Sequence, residues 1–458
     1  MGTTNLAVTG TWLEGIEERT YWVPPLHLLA QAGWYKIAGA GLTQMRAMSI
    51  AFGAIAVAMV YLIGRRLLCG RFAALLAAAL LAIDVRWIVS GSTGRMDMMS
   101  ASLGLTGVAL YLLLRERPLA LAVAAANSAI AASCLTHPCG VLHAAAFGVL
   151  FAALDRGRLS WRTLLAAVAP YIVALCLWGS YIARDPEAFV RQFGGNVSGF
   201  GAEAGKPERF SGLRNPMMAL KAELVKRYYS QFGEWGDSKL AGALQVFTLG
   251  LYAAALGMAL MSGRLRRTRH GRALVAAAAG VFVILWLFDA SKTAAYLPHV
   301  LPWLILLGAY GFRRLAGGQA ALACLLLAGV VGAQAVAHAA NFRKNTLESE
   351  TRAVARFLSA NVQPGERVVG GAEFGFVAPG PLQFIDDSRM GFLTGVRPGW
   401  IVLSRWYGVW QASAGRRDPA FGRYAKALLE QDSREVFRAG SARVFRLEPT
   451  AAKATEVR

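Results

Sequence analysis

Charge is what this chain lacks most. Only 16% of its 458 residues are Asp, Glu, Lys or Arg, while 55% are hydrophobic. A water-soluble domain carries about 25% charged residues, so the deficit excludes an ordinary soluble globule. Acidic residues are scarcer still, 27 against 48 basic, for a net charge of +21. Cysteine is sparse as well: five, at positions 69, 134, 139, 176 and 324, show no metal-ligand spacing. Cys134 and Cys139 flank the turn "LTHP" and are close enough in sequence for a disulfide, but buried free thiols are the preferred reading. No D-x-D stands at a clear ion site, so neither a metal nor a cofactor is expected. The first 44 residues contain no basic start followed by an apolar core, so no signal peptide is expected there.

What the chain has in abundance is long apolar runs. They fall near residues 45–64, 72–89, 98–114, 118–135, 138–154, 163–182, 240–261, 273–289, 294–312 and 319–340. Each approaches the ~20 residues that cross a hydrocarbon core as a helix. Helices are required because a lipid-exposed backbone must satisfy its own hydrogen bonds. Several runs are rich in Ala and Gly ("AALLAAALLA"), which suits close packing in a bundle. The expected architecture is an all-α polytopic membrane bundle of about ten helices.

The basic excess is unevenly placed. The connections 65–71, 115–117, 155–162, 263–272 and 312–314 hold fifteen Arg and only two acidic residues, Glu116 and Asp155. The intervening loop 184–238 balances eight basic residues against seven acidic. This is the asymmetry of the positive-inside rule, which makes the Arg-rich loops cytoplasmic. A nucleic-acid partner is thereby disfavoured, since the charge reports topology.

With that orientation, three units are expected. Residues 1–44 form an amphipathic outer segment. Residues 45–341 form the membrane domain with its long outer loop. Residues 342–458 form a small water-soluble α/β domain on the outer face. In that tail "RVVGG", "LQFID", "GWIVLS", "REVFRAG" and "ARVFRLE" read as short strands, and "TLESETRAVARFLSANV" and "FGRYAKALLEQD" as helices.

Ionisable groups at membrane depth mark functional sites by default. Those on the outer side are Asp84 and Arg86, Arg95 and Asp97 in "SGSTGRMDMMSASL", His137, and Lys292, Tyr296 and His299 in "SKTAAYLPHVLP". Glu14, Glu17 and Glu18 lie in the amphipathic start. Taken singly, each has an ordinary alternative. Asp97 is placed to cap the following helix, and Lys292 to snorkel towards the headgroups. Their convergence on one membrane face favours a common site.

The order of these pieces resembles the glycosyltransferase C superfamily, in the branch of protein mannosyltransferases and aminoarabinose transferases (family 39-type). The resemblance runs through "YWVPPLHLLAQAGWYKIAGAG", "GSTGRMDMMSASLGLTGVALYLLLR", "SCLTHPCGVLH" and "SKTAAYLPHVLPWLILLGAY", over roughly residues 20–340. It implies transfer of a sugar, with inversion, from a polyprenyl phosphate carrier to an extracytoplasmic glycan, lipid or protein acceptor. The implied location is the bacterial inner membrane, with the active face and tail domain periplasmic. In such enzymes a carboxylate deprotonates the acceptor hydroxyl and basic groups stabilise the phosphate leaving group. Arg95, Lys292, Tyr296 and His299 are the implied donor-phosphate residues, with Asp97 orienting Arg95 or a substrate group. The family pattern begins with one further span and an acidic pair, and the chain starts at Met1 just before the pattern that follows them. Three readings follow: a misassigned or truncated start, which is preferred and would leave the chain poorly active; a degenerate relative; or Glu14, Glu17 or Glu18 substituting as the base. Two other functions compete: a transporter or flippase for a lipid-linked sugar, whose inverted repeats are not seen, and a non-catalytic scaffold in envelope-glycan assembly.

Overall fold

The computed structural model describes residues 21, 23–68, 70–197, 211–229, 239–289, 292–315, 319–377, 382–387, 389–392, 395 and 397–448. A short helix α1 (Leu26–Ala38) leads into α2 (Leu42–Leu67), α3 (Arg71–Ile83), α4 (Val85–Gly91), α5 (Met96–Leu114), α6 (Leu119–Thr136), α7 (Val141–Asp155) and α8 (Trp161–Ile182). The long connection after α8 holds α9 (Pro186–Val197), α10 (Pro216–Ala222) and a π-helical segment, Glu223–Tyr229. Then follow α11 (Lys239–Met261), α12 (Arg269–Phe288), α13 (Leu297–Leu315) and α14 (Ala320–Arg343). Among the described residues nine helices are long and apolar enough to cross a membrane, and up to ten if the bent pair α3–α4 is one span. The helices coincide with the ten apolar runs, and the chain is a multi-pass membrane protein.

The bend is where the sequence reading needs refinement. Residues 72–89 are expected as one continuous span; α3 and α4 instead meet at 60°. The break sits at Asp84, whose backbone is extended and whose carboxylate accepts the N–H groups of Arg86 and Trp87, each at 2.9 Å. From α14, Gln334 Oε1 accepts the Val85 N–H at 2.9 Å, and a ring nitrogen of His338 lies 3.0 Å from the Ile83 carbonyl. Helix breaks at membrane depth persist only where other groups re-satisfy the freed backbone. Asp84 is thus accounted for as the hinge of a broken helix.

The centre of the bundle is α13, buried along most of its length against α3, α11 and α12. Its approach to α11 is close enough that a Cβ on Gly311 would lie 1.7 Å from the Ala255 carbonyl oxygen, so only glycine fits. At the other extreme α8 exposes Leu164, Leu165, Ile172, Val173, Leu175 and Leu177. That is the pattern of a helix facing lipid.

Beyond the bundle, five strands stand where the sequence reading puts them: β1 (Arg367–Val369), β2 (Gln383–Ile385), β3 (Trp400–Leu403), β4 (Ser433–Ala439) and β5 (Ala442–Leu447). The sheet order is β2-β1-β3-β5-β4, parallel across β2, β1 and β3 and antiparallel thereafter. Every residue of β3 is buried, because helices cover both faces. Trp400 and Val402 join Val354 and Leu358 of α15 (Ala353–Asn361). Ile401 and Leu403 join Tyr407 and Phe421 on the opposite face. The alternation is the period-two signature of a strand. A helix not anticipated from sequence, Arg405–Arg417, follows β3. Its glycines at 408 and 415 and scattered apolar residues conceal the helical period.

Candidate active site

The site begins at the head of α5. Gly94 takes a left-handed backbone (φ +69°) that β-carbon-bearing residues rarely adopt, turning the chain so that Arg95 opens the helix in an extended conformation. The Arg95 Nε donates to Asp97 Oδ2 at 2.9 Å, with the Arg95 side chain 51% exposed and that of Asp97 only 3%. No side chain caps α5, so Asp97 is not the helix cap that its position allows. Its other oxygen, Oδ1, is buried without a hydrogen-bond partner among the described residues and lies 3.9 Å from His137 Nε2. An ionisable oxygen buried and unsatisfied is costly unless something else completes it. His27, on α1, is buried nearby; burial pushes its imidazole down to about 4 against the pull of the Asp97 charge. The sequence reading passed over His27, although it stands in the "PPLHLL" stretch.

The second group comes from the turn between α6 and α7. His137 precedes a single 3-10 turn, Pro138–Gly140, and its Nδ1 accepts the Cys139 N–H at 3.1 Å. The turn can press onto the end of α6 because Gly140 has no Cβ; one would lie 2.5 Å from the Cys134 nitrogen. The His137 ring centroid is 5.3 Å from that of Tyr296 and 6.1 Å from that of His299. His299, fully buried on α13, places Nδ1 3.1 Å from Nε2 of His143, itself fully buried on α7. Room for that ring is made by Gly104 of α5, where a Cβ would fall 2.2 Å from His143. His143 interrupts the apolar run "VLHAAAFG", the intramembrane polar signal that would have found it.

The third group is an ion network built from two connections between helices. Arg227, on the π-helical segment, has a fully buried side chain. It donates from Nε to Glu223 Oε1 at 2.6 Å, from Nη2 to Asp289 Oδ2 at 2.5 Å and from Nη1 to the Thr293 carbonyl at 2.8 Å. The Lys292 ammonium lies 3.0 Å from Glu223 Oε2 and donates to the Trp286 carbonyl at 2.5 Å. Lys292 has a positive φ of 51° and a side chain 3% exposed, so it turns inward and does not snorkel. The Arg227 guanidinium also sits over the Tyr296 ring, 5.9 Å from its centroid, which links this network to His137 and Asp97.

The structure thus brings Arg95, Asp97, His137, Tyr296 and His299 into one chain of contacts, and joins Lys292 to it through Glu223 and Arg227. Asp84 and Arg86 belong to the α3–α4 bend. Glu14, Glu17 and Glu18 lie outside the described residues. Arg227, Glu223 and Asp289 were not anticipated; the i,i+4 spacing of Glu223 and Arg227 in "KAELVKRYY" was the available signal. Beneath the network is an apolar cavity of about 420 Å³. Leu224 and Tyr228, from the segment that carries Glu223 and Arg227, line it with Leu249, Tyr252, Phe282 and Leu304.

The site's surroundings match known proteins at two levels. Residues 20–154 match the family described as dolichyl-phosphate-mannose-protein mannosyltransferase. No curated protein sequence matches the chain. Among solved structures, ArnT from Cupriavidus metallidurans bound to undecaprenyl phosphate is similar with a TM-score of 0.60 at 15% identity, covering 97% of this chain and 92% of that one. The same protein in the apo state gives 0.60 at 16% identity, covering 97% and 91%. The archaeal oligosaccharyltransferase AglB from Archaeoglobus fulgidus, in complex with an inhibitory peptide and a dolichol-phosphate, gives 0.53 at 14% identity, covering 92% and 67%. The chain has the ArnT-like glycosyltransferase C fold that its motifs implied.

Proposed function

We propose that this multi-pass membrane protein of glycosyltransferase C fold transfers a hexosyl or pentosyl unit, with inversion, from a polyprenyl phosphate carrier to an extracytoplasmic glycan, lipid or protein acceptor. The observation that carries the reading is the buried Arg227–Glu223–Asp289–Lys292 network at the head of the apolar cavity. A lipid phosphate needs charge-assisted donors for its oxygens and an apolar surface for its chain. One helical segment supplies both, with Arg227 and Glu223 in the network and Leu224 and Tyr228 on the cavity wall.

On this reading Arg227, Lys292 and Arg95 contact the phosphate of the donor, and Tyr296 and His299 line its approach. Arg227 and Lys292 are already neutralised by two carboxylates. Phosphate binding therefore exchanges partners within the network, drawing the cations from Glu223 and Asp289. Asp97 holds Arg95 towards the leaving group and keeps Oδ1 free to accept a proton or a hydroxyl. The base is drawn from Asp97, Glu14, Glu17 and Glu18. A carboxylate beside the attacking hydroxyl removes its proton as the anomeric carbon inverts, and the basic groups stabilise the departing phosphate. The concentration of Arg in the loops of the opposite face supports assigning this face to the periplasm of a bacterial inner membrane.

The test compares binding of undecaprenyl phosphate and undecaprenol to the purified full chain in detergent. The reading requires phosphate-dependent binding that weakens when Arg227 is replaced by Met. Equal binding of the phosphate and the alcohol would overturn it.

A further inference from the structure

Three potential metal-binding side chains meet beside the site. A ring nitrogen of His137, the Cys139 sulfur and a ring nitrogen of His299 lie within 4.8 Å of one another. They come from two places about 160 positions apart in the chain, the turn after α6 and the first turn of α13. We propose that His137, Cys139 and His299 form a binding site for a divalent cation of the zinc class, clipping the 136–141 turn to the head of α13. This goes beyond the glycosyltransferase reading and does not depend on it.

Donor chemistry selects the ion. Two imidazoles and a thiolate suit a borderline-soft cation such as zinc, whereas magnesium and calcium require oxygen ligands. His299 carries the independent observation. It is fully buried, its Nδ1 faces His143, and its Nε2 has no hydrogen-bond partner among the described residues. A ligating histidine holds its second ring nitrogen in a hydrogen bond that fixes the tautomer. Nδ1–H donating to His143 Nε2 at 3.1 Å leaves the Nε2 lone pair for a cation.

His137 offers the matching arrangement on the other side. Its Nδ1 faces the Cys139 backbone, two residues on, so His137 and Cys139 are spaced as a chelate. With Nδ1 on the cation, the Nε2–H points to Asp97 Oδ1, which lies 3.9 Å away and has no hydrogen-bond partner among the described residues. A shift of a few tenths of an ångström would bring the pair from 3.9 Å to hydrogen-bond distance and complete a carboxylate–histidine–metal arrangement. Binding gives up one hydrogen bond, from the Cys139 N–H to Nδ1, in exchange for a metal–nitrogen bond. The turn is already held by Gly140 against the end of α6, and His299 by the packing of α13. A fourth position is left for water or a substrate oxygen.

Cobalt(II) reports on such a site because its thiolate bond gives a charge-transfer absorption in the near ultraviolet. The full chain, purified in detergent, kept reduced and stripped with chelator, is titrated with cobalt(II) and then with zinc. We expect one equivalent of cobalt to bind with a charge-transfer band, and zinc to displace it. Cys139→Ser should abolish the band, while Cys134→Ser, one turn away in sequence, should leave it. His143→Leu, which removes the acceptor from His299 Nδ1, should weaken binding tenfold to a hundredfold. If Cys139→Ser elutes as an aggregate, Cys139→Ala replaces it. The proposal is overturned by cobalt binding without the band, or by a band that survives loss of the Cys139 thiol. It is equally overturned if the band depends on Cys134.

Discussion

Arg227→Met tests the ion network directly. The wild-type network is formally neutral: Arg227 and Lys292 face Glu223 and Asp289. Removing the guanidinium leaves two carboxylates sharing one ammonium, and takes away three hydrogen bonds from a fully buried side chain. Breaking a buried pair by deleting one partner costs about 3–5 kcal/mol, because the remaining charge stays uncompensated. Equilibrium unfolding of the full chain in mixed micelles, followed by tryptophan fluorescence, should show a loss of that order. Adding Asp289→Asn restores neutrality while keeping the Lys292–Glu223 pair at 3.0 Å. The double variant should therefore be more stable than Arg227→Met, with a coupling energy of roughly 0.5–3 kcal/mol. Function separates from folding at this point. If Arg227 also contacts the donor phosphate, the double variant regains stability without regaining binding of undecaprenyl phosphate. A loss below about 1 kcal/mol in the single variant, or no recovery in the double one, would refute the reasoning.

Lys292→Ala should weaken undecaprenyl phosphate binding about tenfold or more, since a hydrogen bond to a charged group contributes ~1.5–3 kcal/mol; Lys292→Arg should keep part of it, and unchanged binding in the alanine variant would make the lysine purely structural. Asp97→Asn should slow sugar transfer at least tenfold, about 1.4 kcal/mol of barrier, with an unchanged elution profile. Reporter fusions at Ser262 and Asn345 should score on opposite sides of the membrane, the first cytoplasmic, and a shared side would overturn the charge argument. In the tail domain, burial opposes ionisation of Glu366, but the Gln363 N–H at 2.8 Å, the Trp400 indole at 2.9 Å and the Arg446 charge hold its carboxyl below its ordinary 4.5. A depressed carboxyl stabilises the fold above its unfolded pKa and loses that contribution as pH falls through the folded value. Glu366→Gln should accordingly be destabilised at pH 7, with the deficit narrowing in melts taken below pH 4.5.

The sequence alone determined the spans and the strands of the tail. Hydropathy is summed over some twenty consecutive residues, and the positive-inside bias over whole loops, so neither needs to know which helix touches which. The short runs of β-branched and aromatic residues at 400–403 and 442–447 are equally local. Motif order also made Arg95, Asp97, Lys292, Tyr296 and His299 legible as one group. Tertiary packing decided how they meet. By position Asp97 is placed to cap α5; the fold instead pairs it with Arg95 and turns its second oxygen to His137. Lys292 taken singly has a snorkeler's position, yet Glu223 draws it inward from a segment some seventy residues earlier in the chain. Arg227 looks like one basic residue in a charge-balanced loop until the π-helical segment sets it between Glu223 and Asp289. Cys139 shows no metal spacing along the chain because the third member of its group, His299, arrives on α13. Such meetings depend on the angles and offsets at which helices pack, set in part by residues such as Gly104, Gly140 and Gly311 whose lack of a Cβ permits close approach, and no one-dimensional period encodes them.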